Sequence, residues 1–123
     1  MIDPHAETRF HVYILHSKAT QMIKVGKTRG FARHAALARM GYAGANDWSL
    51  CATFVVDSNH EALALESMVI AHLSNRQYKV PRLQWVNLIN QRPSFADECF
   101  SCTVDIAVEA ANAMLEILVQ GIR

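Results

Sequence analysis

Two β-prone runs stand close together near the start of the chain: His11-Val12-Tyr13-Ile14, then Ile23-Lys24-Val25-Gly26-Lys27-Thr28. Val, Ile and Tyr suit a pleated, half-buried surface. Only the short connection Ser17 to Gln21 separates the two runs, so they are expected to pair as an antiparallel hairpin. Such a β-β start is unlike the opening of a Rossmann unit. Gly26 also stands outside any glycine-rich dinucleotide loop.

The rest of the chain is read as covering that hairpin. Phe10 to Leu15 is the first strand and Met22 to Val25 the second, with Gly26 ending it at a bend. Thr28 is predicted to cap a helix over Arg29 to Met40, where Phe31, Ala35 and Ala38, and also Arg33, Leu37 and Met40, repeat at helical spacing. Gly41 stops that helix. Trp48 to Val56 is a third strand with Leu50, Ala52, Phe54 and Val56 on one face. Ser58-x-x-Glu61 is a capping box for a helix running to about Leu73. Leu83 to Ile89 is expected to form a short helix and Gln91 to Asp97 a loop. Thr103 caps a last helix with Ala107, Ala110, Met114 and Ile117 or Leu118 on its buried stripe.

Three short strands need helices to cover them, so the class is α/β (α+β). The chain has 123 residues, 51% of them hydrophobic, which suits one domain with one core. That domain is expected to span 1–123, with its core at about 10–105 and a C-terminal helix at about 103–120.

Twelve basic and eleven acidic residues leave a formal charge of +1. This excludes a histone-like surface, so any nucleic-acid contact must be local. No signal peptide and no membrane span are expected. The three cysteines, Cys51, Cys99 and Cys102, cannot all pair, which fits a reducing cytoplasm. Cys99-x-x-Cys102 lacks the second pair of a zinc site and is expected to be two semi-buried thiols.

The chemistry-bearing residues gather around the hairpin. Alternation puts His11 and Tyr13 on one face of the first strand. Tyr13 either packs under a helix or orients a nucleophilic water. Lys24 and Lys27 beside a tyrosine favour an anion. Arg33 either snorkels to solvent or presents its planar fork to a phosphate, with Arg29 as a rival. Glu66 lies among Ala62, Leu65, Val69 and Ile70 on a helix. A carboxylate placed there needs an ionic partner or a metal. One carboxylate suffices for Mg²⁺ when phosphate and water complete the shell. Trp85 is expected in the core, with stacking on a base as the alternative.

His11-Val12-Tyr13, Lys24-Val25-Gly26-Lys27-Thr28, Arg33 and Glu66 together resemble the GIY-YIG nuclease superfamily. The closer likeness is to its T5orf172/Mug113-like branch, where Glu98-Cys99-Phe100 is similar to an acidic-aromatic pair near the end. The likeness covers roughly residues 10 to 105. It implies a small three-stranded antiparallel sheet flanked by helices, and an endonuclease that hydrolyses DNA phosphodiesters with one divalent metal, Mg²⁺ or Mn²⁺. Tyr13 would act on or orient the attacking water, Arg33 would steady the phosphate, and Glu66 would hold the metal. Gly26 would permit close approach, and Lys27 would add positive charge. Two positions depart from the pattern: His11 stands where glycine is usual, and Lys24 replaces the second tyrosine. Arg33 also falls about one residue early. The rival reading is a non-catalytic nucleic-acid-binding or protein-interaction module on the same fold. A lone core of this kind would bind weakly unless it forms a homodimer or works with a protein partner.

Overall fold

The strands alternate as the sequence predicts, and their two faces are covered by different parts of the chain. The computed structural model describes residues 9–29 and 32–122. β1 (Phe10–Ser17) pairs antiparallel with β2 (Met22–Arg29), Tyr13 standing opposite Gly26 and Leu15 opposite Lys24. On its other side β1 pairs with β3 (Ser49–Val56), which follows α1 (Ala32–Met40) and a single 3₁₀ turn, Tyr42–Gly44. After α2 (Asn59–Asn75) come β4 (Leu83–Val86), β5 (Pro93–Ala96) and the two-residue β6 (Cys99–Phe100). The last element is α3 (Val104–Ile122). β6 adds to the outer side of β2, so the main sheet runs β3-β1-β2-β6, while β4 and β5 form a separate hairpin. The α+β class and the C-terminal helix are as expected, and a short fourth strand extends the three-stranded core.

The middle of one sheet face is apolar. Val12, Ile14, Ile23 and Val25 meet Ala62, Leu65, Val69 and Leu73 of α2 and Ala107, Ala110 and Ala111 of α3. The small α3 residues let that helix lie close, while Met114, Leu115 and Leu118 extend the contact. Ile117, the alternative to Leu118 on that stripe, is exposed. Two caps fix where these helices begin. The Ser58 hydroxyl accepts from the Glu61 N–H at 3.1 Å, and Thr103 accepts from the Ile106 N–H at 3.2 Å. Both satisfy amides that have no partner within the helix.

The opposite face carries His11, Tyr13, Leu15, Lys24 and Gly26. It is covered by Leu37 of α1, by the 3₁₀ turn and Trp48, and by Trp85 of β4.

Four local expectations are corrected. β2 does not end at Gly26 but continues to Arg29, so Thr28 is strand and not a helix cap. Gly26 is an interior strand residue because a Cβ there would fall within 3.0 Å of the Tyr13 ring and hydroxyl. Leu50 does not share a face with Ala52. The register shifts after Ile14, Leu15 pairing with Leu50 while Cys51 is left over, and this bulge turns Leu50 out to 45% exposure. The expected helix at Leu83 to Ile89 and the loop after it are instead the β4–β5 hairpin. The Asn87 side chain turns that hairpin by accepting from the Ile89 N–H at 2.8 Å. Phe31, expected on the buried stripe of the first helix, lies outside the described residues.

Candidate active site on the edge of β2

β2 has an open outer side beyond its short contact with β6, and two glutamates use it. The Val25 N–H donates to the Glu98 carbonyl at 3.3 Å. Two residues on, where the strand again points its amide outward, the Lys27 N–H donates to the Glu66 carboxylate. Glu66 thus prolongs the hydrogen bonding of the strand edge with a side chain. It is half-buried on the flank of α2. Burial first, then the Glu98 carboxylate, raise its pKa above the ordinary carboxylate value; Lys24, Lys27 and the Lys27 amide oppose that rise.

Lys24 is buried and forms an ion pair with Glu98. Its ammonium also lies 5.1 Å from the centre of the Tyr42 ring. The Tyr42 hydroxyl donates to the Cys99 thiol, and burial, with Cys99, Glu98 and Tyr13 nearby, raises the Tyr42 pKa. The surrounding loop holds this ring from several sides. Gly41 (φ +71°) and Ala43 (φ +55°) are left-handed. The Trp48 indole donates to the Tyr42 carbonyl at 2.8 Å, and the Trp48 and Trp85 rings meet Tyr42 edge-on at 5.9 and 5.4 Å.

Tyr13 is 1% exposed, beneath this layer and against Gly26. His11 sits edge-on to it at 6.5 Å, and burial lowers the His11 pKa. Lys27 reaches the start of α2, donating to Asn59 Oδ1 at 3.1 Å. Arg33 belongs to α1, but its side chain lies outside the described residues. Tyr13, Lys24, Lys27 and Glu66 therefore collect around β2. Among the described residues, no three His, Cys, Asp or Glu side chains form a ready metal cluster.

Sequence reasoning missed Tyr42. Its signal was an aromatic set in the small-residue run Gly41-Tyr42-Ala43-Gly44, a run too short to show periodicity. It also left Glu98 without a role, because the partner Lys24 is 74 residues away. Trp85 packs inward, as expected of a core residue. Cys99 and Cys102 are raised in pKa by burial, Cys102 to about 11, so neither resembles a reactive thiolate.

The T5orf172 domain family matches residues 10–115, most of the chain. The protein belongs to that family, which is associated with the GIY-YIG-like nuclease fold. No curated protein and no solved structure matches it. Among the described residues no helix is long and apolar enough to cross a membrane.

Proposed function

We propose that the protein is a divalent-metal-dependent endonuclease of the GIY-YIG type, acting on DNA phosphodiester bonds. The observation that carries this reading is Glu66: a half-buried carboxylate, bonded to the Lys27 amide on the outer edge of β2 and beside a second carboxylate, that of Glu98. Its raised pKa records an environment that disfavours its negative charge, and a hard cation relieves that cost. The donor chemistry therefore fits Mg²⁺ or Mn²⁺ on Glu66. When bound, such a cation supplies positive charge to the phosphoryl and leaving oxygens.

The chain's own residues divide the remaining work. Lys27 and Arg33 attract the phosphate and offset the charge that grows on its oxygens. The Tyr13 hydroxyl orients the attacking water. Lys24, paired with Glu98, holds positive charge under the site where the second tyrosine of the resemblance would stand. Plasmid nicking with Mg²⁺ or Mn²⁺ tests the reading. Glu66→Ala is expected to abolish nicking and Tyr13→Phe to reduce it by roughly 10²–10⁴-fold. Full activity in Glu66→Ala would remove the metal role.

A second reading is favoured by the burial of Tyr13 and by the engagement of Lys24 with Glu98. Here the domain binds nucleic acid without cutting it. Retained DNA binding with no nicking in either metal would select it.

A further inference from the structure

The β4–β5 hairpin has two unlike faces. Leu83, Trp85 and Ala96 point inward to the layer around Tyr42. Gln84 pairs with Phe95 and Val86 with Pro93, and these four residues form the outer, exposed face. Nine large hydrophobic residues are exposed among those described. Four of them, Val86, Leu88, Ile89 and Phe95, lie on this hairpin and its turn. Such a concentration marks a contact surface, whereas scattered exposed side chains do not.

Charge indicates what it contacts. Residues 67–96 contain no Asp or Glu but include Arg76, Lys79, Arg82 and Arg92. The Arg82 guanidinium lies over the Phe95 ring, 4.0 Å from its centre, and is steadied by Asp97 Oδ1 at 3.3 Å. Phe95 keeps 49% of its surface exposed. A flat ring on β5 and a flat cation just before β4, one over the other, suit an unpaired base and its phosphate. The hairpin is also anchored. The Leu88 N–H donates to the Met40 carbonyl at 2.9 Å, and the Leu88 side chain closes on Gly41. Phe95 stands three residues before Glu98, within about 10 Å along the chain.

We infer that the outer face of this hairpin binds single-stranded nucleic acid, with Phe95 stacking on a base and Arg82 and Arg92 meeting the backbone. The inference does not require that Glu66 hold a metal or that the protein cut its ligand. The test is fluorescence anisotropy of the intact chain with labelled oligothymidylate and oligouridylate of about 12 nucleotides, inside the range that single-strand sites cover. Phe95→Ala is expected to weaken binding about 5- to 100-fold, and Phe95→Trp to restore it. Arg82→Gln and Arg92→Gln are expected to weaken it less and to flatten its salt dependence. A preference for one oligonucleotide tells DNA from RNA and supports the site either way. Unchanged binding in Phe95→Ala overturns the inference. So does a dimer that Phe95→Ala splits while binding persists, which would make the face a contact between copies. Glu66→Gln, assayed for nicking alongside, separates the two proposals: full nicking overturns the metal reading, while the hairpin inference is decided by the affinity of Phe95→Ala alone.

Discussion

The two faces of the main sheet come from the same strands yet do different work. Val12, Ile14, Ile23 and Val25 point to α2 and α3 and pack in an apolar core. One residue along in each case, His11, Tyr13, Lys24 and Gly26 meet rings, thiols and carboxylates. Period-two alternation thus gives the middle of each strand one apolar side and one with polar partners. The apolar face tolerates no loss of volume. The polar face depends on paired charges and on one missing side chain, that of Gly26.

The sharpest way to break this comparison is to damage the apolar face alone. Leu65 is fully buried between α2 and the sheet. Leu65→Ala is expected to cost about 2–5 kcal/mol through lost burial and the cavity left behind. The urea midpoint measures it. A loss under about 1 kcal/mol would mean that this face is not the main source of stability.

On the polar face the largest effect belongs to Gly26. Any side chain there collides with Tyr13. Gly26→Ala is expected to cost about 2–3 kcal/mol by displacing the ring. In Tyr13→Ala the same substitution should cost far less, because the collision is gone. Equal costs in both backgrounds would show that the glycine is required for another reason.

The ion pair ranks next and predicts an asymmetry. Lys24 has 6% of its side chain exposed and Glu98 has 37%. Glu98→Ala strands a buried ammonium, whereas Lys24→Met leaves a carboxylate that water reaches. The first is expected to cost about 1–2 kcal/mol, less than a fully sealed pair, and the second under about 1 kcal/mol. Matched denaturation curves of the two variants would decide it; the reverse order would mean that Tyr42, not Glu98, holds the lysine.

Much of this arrangement was legible in local sequence because its signals are local. Alternation in Phe10–Leu15, the caps Ser58 and Thr103, and the stop at Gly41 each need only a few neighbouring residues. What escaped depends on partners distant in sequence. Gly26 read as a terminator because Tyr13 faces it only after β1 and β2 pair. The β4–β5 hairpin read as a helix because four-residue strands give too few alternations to outweigh a short apolar run. At the candidate site, the resemblance singled out Tyr13, Arg33, Lys27 and Glu66; Tyr13 packs against Gly26 and Glu66 bonds the Lys27 amide, while the Arg33 side chain lies outside the described residues. The carboxylate partner of Lys24 and the clamped ring of Tyr42 arise from tertiary packing, so no spacing announced them.

The smallest expected effect compares two carboxylates of opposite behaviour. Asp47 fastens the β1–β2 turn, accepting from the Ser17 hydroxyl at 2.6 Å and the Ala19 N–H at 2.8 Å. The Ser17 bond, then the Ala19 bond, lower its pKa. Its contribution is therefore present above the unfolded carboxylate value and lost as pH falls through the lowered folded value. Glu66 has the opposite sign. Burial raises its pKa, so it favours the fold below the unfolded value, and that benefit is lost as pH rises through the raised folded value. Asp47→Asn should thus lower the urea midpoint of the metal-free protein at neutral pH, whereas Glu66→Gln should raise it. Both differences should shrink by about pH 3, below the unfolded carboxylate values. Added Mg²⁺ should then stabilise the parent protein but not Glu66→Gln, by mass action on the folded state. If Glu66→Gln gives no gain at neutral pH, the carboxylate is already satisfied by Lys27 and its surroundings, and the case for a cation there weakens.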